Sequence, residues 1–318
     1  MRLFPAIVIS LALCLVATVA SAQLSGFGLP EWLFPLNPPA VGDPQPPDDV
    51  KLIHLPNSKA AFTQAQLLNL FSVPDWHPAT HQPMPDVVAH GHAPDVFACG
   101  FCHMPGGQGR PENASLSGLP AQYIIQQVQD FKSGARRVSL KGYLPTEKMA
   151  QIAQSVSARD LAAAADYFAA QPMTKRTRVI ETALVPKMHV VGWIYAPDAG
   201  GATEPLGERL LEMTRDPELH ERRADGQLYV AYAPVGSIAR GKSLAGSTCA
   251  ACHGEHLQGV GLIPPLAGRS PTYILRQLVA FKTGARAGTA GTPMKAVVAS
   301  MKIDNMIDVA AYAASLQP

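Results

Sequence analysis

Two short runs have the residue types and spacing to do chemistry: Cys99-Gly100-Phe101-Cys102-His103 and Cys249-Ala250-Ala251-Cys252-His253. Two thiols separated by two residues share one helical turn, which lets them meet the two vinyl groups on one edge of a porphyrin. The imidazole that follows turns back onto the iron. Cys-x-x-Cys-His is accordingly the attachment signature of covalent haem. Zinc sites and redox dithiols also use Cys-x-x-Cys. Zinc needs further close ligands, however, and Cys14 is the one cysteine of the chain's 5 outside the two runs. A redox pair needs no histidine directly after its second cysteine. The expected cofactors are two covalently bound haem c groups, on Cys99 and Cys102 and on Cys249 and Cys252, with His103 and His253 as iron ligands.

The two runs are corresponding points of a duplication. At an offset of 150, Ala89 and Gly91 fall on Ala239 and Gly241, and Tyr123-Ile124 on Tyr273-Ile274. Gln127 falls on Gln277, and Phe131-Lys132-Ser133-Gly134-Ala135-Arg136 on Phe281-Lys282-Thr283-Gly284-Ala285-Arg286. The offset then becomes 145, with Met149 on Met294, Ala165 on Ala310 and Tyr167 on Tyr312, so one five-residue length difference lies between the arginine and the methionine. Each unit reads as helix, haem motif, loop, helix, Met-bearing loop, helix. The middle helix spans Tyr123 to Phe131 with Ile124, Val128 and Phe131 on one face. The last spans Leu161 to Ala170 in the first unit and Met306 to Leu316 in the second.

Met149 and Met294 occupy the same place in the repeat, each 18 residues before the tyrosine of the last helix. A thioether is a soft ligand that favours ferrous iron, so both are candidate sixth ligands, with core packing as the alternative. His77, His81, His90 and His92 offer another sixth ligand for the first haem. His90 and His92, though, align with Arg240 and Lys242 on the helix leading into the motif, on the proximal side. His54, His77, His81, His189, His220 and His256 read as surface or structural residues, and Met104, Met173, Met301 and Met306 as packing. Lys132, Arg136, Arg137, Lys282 and Arg286 would neutralise haem propionates, form a cationic docking rim, or be solvated helix-end charges. Tyr123 and Tyr273 are expected in the haem pockets.

At 318 residues the chain is long enough for more than one core, its 16% charged residues are few, and its 29 prolines point to much irregular structure. A formal net charge of +2 gives no nucleic-acid footprint. Residues 1–22 read as a secretory signal with Arg2, an apolar run and Ala20-Ser21-Ala22 before cleavage, a retained membrane anchor being the alternative. The resulting plan is a signal peptide at 1–22, a proline-rich arm at 23–87 wrapping over the first unit, a first domain at 88–171, a connector at 172–235 and a second domain at 236–318. The arm holds one helix-like run from Thr63 to Phe71. The β-branched and aromatic residues Val179-Ile180 and Val190 to Tyr195 suggest a small hairpin or two in the connector.

With these motifs the chain resembles a dihaem class I cytochrome c, similar to the cytochrome c4 type, over roughly residues 88–171 and 236–318. The resemblance implies a mainly α fold of two tandem cytochrome c domains, joined here by an irregular arm and a partly β connector. It also implies proximal His103 and His253, distal Met149 and Met294, and single-electron transfer in the periplasm. Expected partners are a respiratory dehydrogenase or quinol-oxidising complex on one side and a terminal oxidase on the other, with peripheral membrane association open. The alternatives are a peroxidase-like haem enzyme with one open haem and the electron-accepting subunit of a larger dehydrogenase.

Overall fold

The computed structural model describes residues 28–39 and 46–318; the expected signal peptide lies outside the described residues. The arm contributes two short strands, β1 (Ile53–His54) and β2 (Ala61–Phe62), and one helix, α1 (Gln64–Leu68). Helix α1 is shorter than the run read from sequence. Its start is a capping box in which Thr63 and Gln66 satisfy each other's backbone donors.

The first unit follows as α2 (Asp86–Ala89), α3 (Cys99–His103), α4 (Ala121–Lys132), α5 (Leu144–Ser155) and α6 (Ala158–Ala169). Helix α4 buries Ile124, Val128 and Phe131 as its periodicity requires, and stops where Gly134 takes a φ of 77°. Helix α6 starts on Ser157, whose side chain accepts from the Asp160 amide at 3.1 Å. These helices close a core of Val87, Val88, Phe131, Ala165 and Phe168.

The connector is a larger β structure than the sequence suggests. Its elements are β3 (Thr177–Glu181), β4 (Leu184–Pro186), β5 (Met188–Val191), β6 (Ile194–Pro197), β7 (Thr203–Pro205), β8 (Leu211–Thr214), α7 (Pro217–Glu221) and β9 (Tyr229–Ala233). Five strands form one mixed sheet in the order β3-β9-β8-β6-β5, and β4 and β7 form a separate ribbon. The expected hairpin is β5–β6, turning on Gly192 and Trp193, both at positive φ. The remaining strands pair over long sequence separations, and several are too short to show alternation. On β8, the buried Glu212 accepts from the hydroxyls of Thr177, Ser270 and Thr272 at 2.5–2.7 Å, which ties the sheet to the second unit.

The second unit comprises α8 (Ser237–Thr248), α9 (Ala250–His253), α10 (Pro271–Lys282), α11 (Thr292–Ala299) and α12 (Ile303–Ser315). Two expectations about the repeat change. The helix leading into the motif is full length in the second unit but ends at Ala89 in the first, where Gly91 has a φ of 63° and Pro94 has no N–H to continue it. The equivalent Gly241 stays helical because α8 crosses α12 there: a Cβ would lie 2.0 Å from the Asp308 carbonyl oxygen. In addition, the methionines sit on helices, not loops. Met149 lies in the middle of α5 and Met294 in the first turn of α11, each following a proline that suits a helix start.

The five extra residues of the first unit precede α5 and deliver Tyr143 into the second unit's core. There it meets Phe34 edge-on at 5.3 Å and Trp193 at 6.1 Å. The arm does not simply wrap the first unit. Leu33 and Phe34 are buried in the second unit's core, where Arg276 donates to the Leu33 carbonyl at 2.7 Å, and Trp76 donates to the Arg222 carbonyl of the connector at 2.9 Å.

Candidate functional site

Both cysteine motifs form a single helical turn, and the loops that follow them have the same hydrogen bonds. Gly109 N donates to His103 O at 2.9 Å and Gly259 N to His253 O at 2.8 Å; Leu116 N donates to Gly107 O at 2.7 Å and Leu266 N to Leu257 O at 2.8 Å. The loops return to the histidines. His103 Nδ1 donates to the Ala114 carbonyl at 2.8 Å, and His253 Nδ1 to the Pro264 carbonyl at 2.9 Å. A carbonyl can only accept, so the proton is on Nδ1 and the lone pair on Nε2. That is the tautomer of a metal-ligating imidazole steered by an outer partner. Burial pushes both histidines below the ordinary imidazole value, towards the neutral form.

The cysteines are free thiols. Burial, reinforced by neighbouring Cys102, pushes Cys99 up to about 12, and burial likewise raises Cys102 and Cys249. A redox dithiol needs a depressed pKa, so this setting does not suit one. Nor do the described residues contain a cluster of three or more His, Cys, Asp or Glu able to hold a metal ion. Thiols at Cys99, Cys102 and Cys249 that burial keeps protonated, each next to an imidazole with a free Nε2, fit covalent haem. Met149 packs on the same core as Cys99, and Met294 on the same core as Cys249.

The four residues assigned to the haem pockets occupy the junction between the units. Arg136 and Arg286 pair in an antiparallel bridge, flanked by Arg137 N to Ala285 O at 2.7 Å and Ala287 N to Ala135 O at 2.6 Å. Arg136 donates to Tyr273 at 3.2 Å and Gln277 at 2.8 Å. Reciprocally, Arg286 donates to Tyr123 at 3.2 Å and Gln127 at 2.5 Å. The repeated Tyr-Ile to Ala-Arg segment is thus a two-fold brace between the units. Arg137 donates to the Gly284 carbonyl at 3.1 Å and Lys282 to the Ala299 carbonyl at 2.9 Å.

Other buried charges had no signal in the repeat. Arg110 pairs with Glu112 at 2.9 Å, and its guanidinium reaches the carbonyl of fully buried His220 at 3.1 Å. Arg223, from the connector, lies 3.5 Å above the Phe101 ring and donates to the Phe101 carbonyl at 2.7 Å, clamping the first motif. Among the histidines named from sequence, His77 pairs with Asp225, His81 with Asp75, His92 with Asp160 and His189 with Asp198.

The cytochrome c family, by its sequence model, matches residues 238–317. Cytochrome c-554(547) of Halothiobacillus neapolitanus is 39% identical over 91 residues, which is 26% of this chain and 100% of that protein. Cytochrome c4 of Azotobacter vinelandii is 27% identical over 225 residues, covering 69% of this chain and 83% of that one. The thiosulfate dehydrogenase electron acceptor of Thiomonas intermedia (strain K12) is 28% identical over 198 residues, covering 61% of this chain and 67% of that one. With its duplicated Cys-x-x-Cys-His turns, the chain belongs to the cytochrome c family, as a cytochrome c4-like class I cytochrome with covalently bound haem c.

Proposed function

We propose that the chain is a periplasmic dihaem electron carrier in which Cys99 and Cys102 hold one haem, Cys249 and Cys252 the other, and His103 and His253 ligate the irons through Nε2. The observation that carries this reading is the histidine setting: in both units Nδ1 is committed to a carbonyl eleven residues further on, Ala114 or Pro264. Met149 and Met294 supply the sixth ligands, their soft sulfur favouring the reduced state. When bound, haem supplies a one-electron ferric/ferrous couple. The chain's own part is to fix the imidazole tautomer and surround each group with an apolar core. A haem held by His103 and Met149, or by His253 and Met294, would leave no place on iron for a substrate and would pass only electrons, between a dehydrogenase or quinol-oxidising complex and a terminal acceptor such as an oxidase. Export is supported by residues 1–22. No helix among the described residues is long and apolar enough to cross a membrane.

A second reading, an electron-accepting subunit of a dehydrogenase, is favoured by the relative that is a thiosulfate dehydrogenase electron acceptor. Co-purification of a stoichiometric dehydrogenase would select it over a free shuttle. The pyridine haemochrome assay should give two haems per chain, retained on denaturing gels, and one or none overturns the proposal. Magnetic circular dichroism of the ferric protein should report sulfur ligation at both haems. Cyanide or peroxide binding to the resting protein would mean an open iron, as the peroxidase-like alternative requires.

A further inference from the structure

Helix α3 has two sides. At about 3.6 residues per turn, Cys99, Cys102 and His103 project from one and Phe101 from the other. On the Phe101 side lies Arg223 of the connector. Its guanidinium sits 3.5 Å above the Phe101 ring and donates at 2.7 Å to the Phe101 carbonyl, the oxygen of the peptide that leads into Cys102. The contact is thus turned away from the two thiols and the imidazole. Arg223 is held there under strain: its φ of 54° is in the left-handed region that non-glycine residues seldom adopt. The buried Trp76 indole fixes the preceding carbonyl, of Arg222, at 2.9 Å.

Burial first, then the like charge of Arg110, brings Arg223 down to about 10, so it remains a cation at neutral pH. Its neighbours do not cancel that charge. Arg110 is paired with Glu112 at 2.9 Å, and His220 is held neutral by burial, which pushes it down to about 2. Glu221 is exposed, where water screens its carboxylate. At the aligned position of the second unit stands Ala251, with no ring to carry a guanidinium, and the connector that supplies Arg223 lies outside the repeat.

We infer that Arg223 is a potential-tuning residue, whose fixed charge favours the ferrous over the ferric state of the first haem, leaves the second unaffected, and so draws electrons from the second unit towards the first. The inference rests on the haem assignment above. A ferric centre carries one positive charge more than a ferrous one, and a cation held in the protein interior disfavours it more than the same cation on the surface would. One electron moves, from the second haem or from a redox partner, and no bond or proton is exchanged.

The test is an optical redox titration of the full haem-loaded protein, each wave assigned to its haem by NMR contacts with residues of its own unit. Arg223→Met, of similar length without the charge, should shift the first haem's equilibrium about tenfold towards ferric, about 59 mV for one electron, and leave the second in place. Tenfold is what a unit charge exerts across roughly 12 Å at an effective dielectric of about 20. Arg223→Lys, which keeps the charge, should recover most of the shift. Glu112→Gln should move the first haem the other way, severalfold towards ferrous, because it leaves Arg110 unbalanced. Mere loosening around the motif admits water and lowers the potential in both variants, so the opposite signs separate charge from damage, and Glu112→Gln decides the matter if Arg223→Met does not fold. An unmoved first wave in Arg223→Met, equal shifts of both waves, a fall in Arg223→Lys as large as in Arg223→Met, or a fall in Glu112→Gln overturns the tuning. The pyridine haemochrome assay on the same samples distinguishes the failures: fewer than two haems in the wild type strikes the proposed function, whereas two haems with any of those results strikes the role of Arg223 alone.

Discussion

Residues 110–113 and 260–263 are one loop written twice, each closed by the same small bridge, Arg110 to Asn113 and Val260 to Ile263. The first copy reads Arg-Pro-Glu-Asn and is covered; the second reads Val-Gly-Leu-Ile and is exposed. Charge inside and aliphatic residues outside invert the usual distribution, and each half of the inversion has its own cause. Arg110 and Glu112 tolerate burial because they pair with each other and Arg110 also reaches the His220 carbonyl. Val260 and Leu262 stand exposed because the connector's Arg223 covers the first motif, at Phe101, and not the second. Duplication therefore preserved the backbone that orients the histidine and left the outer face of the loop free to diverge.

The largest expected effect tests that contrast at one aligned position. Glu112→Ala should lower unfolding stability by about 3–5 kcal/mol, because it strands a buried guanidinium. Leu262→Ala, at the equivalent exposed site, should change it by no more than about 0.5 kcal/mol. Denaturant unfolding of both variants checks this, and equal costs would mean that the two loops are not in different environments.

Where the loops differ, the junction is alike in both halves. Arg136 and Arg286 make the same reciprocal bonds, so Arg286→Ala should cost about 2 kcal/mol, as hydrogen bonds from a charged group do. Arg136→Ala should cost somewhat less, since Arg136 is only half-buried while Arg286 is buried. A double-mutant cycle should show coupling of about 0.5–3 kcal/mol, because the two guanidiniums share Gln127 and Gln277. Additive losses would mean that the brace is two independent contacts.

What was readable in the sequence was local or repeated. The cysteine turns, the apolar face of α4, the Ser157 cap and the alignment of Met149 with Met294 all follow from patterns within a few turns of chain or from the constant offset. The helices around the two methionines are short of a clear apolar face, so they read as loops, although Glu147, Lys148, Ala150 and Gln151 around Met149 are good helix formers. The five-stranded sheet was missed because β3 meets β9, and β6 meets β8, across long stretches of chain. The cover over the first loop was invisible for the same reason: Arg223 sits 122 residues from Phe101 and has no counterpart in the repeat. Arg110 and Glu112 carry no sign in the sequence of the burial that the connector's His220 and Arg223 bring about.

The smallest expected effect concerns how the arm holds that connector in place. Burial pushes the His77 imidazole down, but its hydrogen bond to Asp225 at 2.7 Å and the carboxylate's charge outweigh this and raise it above the ordinary 6.5. A raised histidine contributes stability that is fully present below the unfolded value of 6.5 and is lost as pH climbs through the higher folded value. The pair is partly solvated, so its contribution is under about 1 kcal/mol. It should appear as local opening, since Asp225 follows closely on Arg222, whose carbonyl accepts from the Trp76 indole at 2.9 Å. Amide exchange in residues 219–227, corrected for the intrinsic pH dependence of exchange, should report easier opening from pH 6 to pH 8, and Asp225→Asn should remove the step. A step of the same size in Asp225→Asn would place its origin elsewhere. The exposed loop at 260–263 bears no such tie, so its exchange, corrected in the same way, should not change over that range.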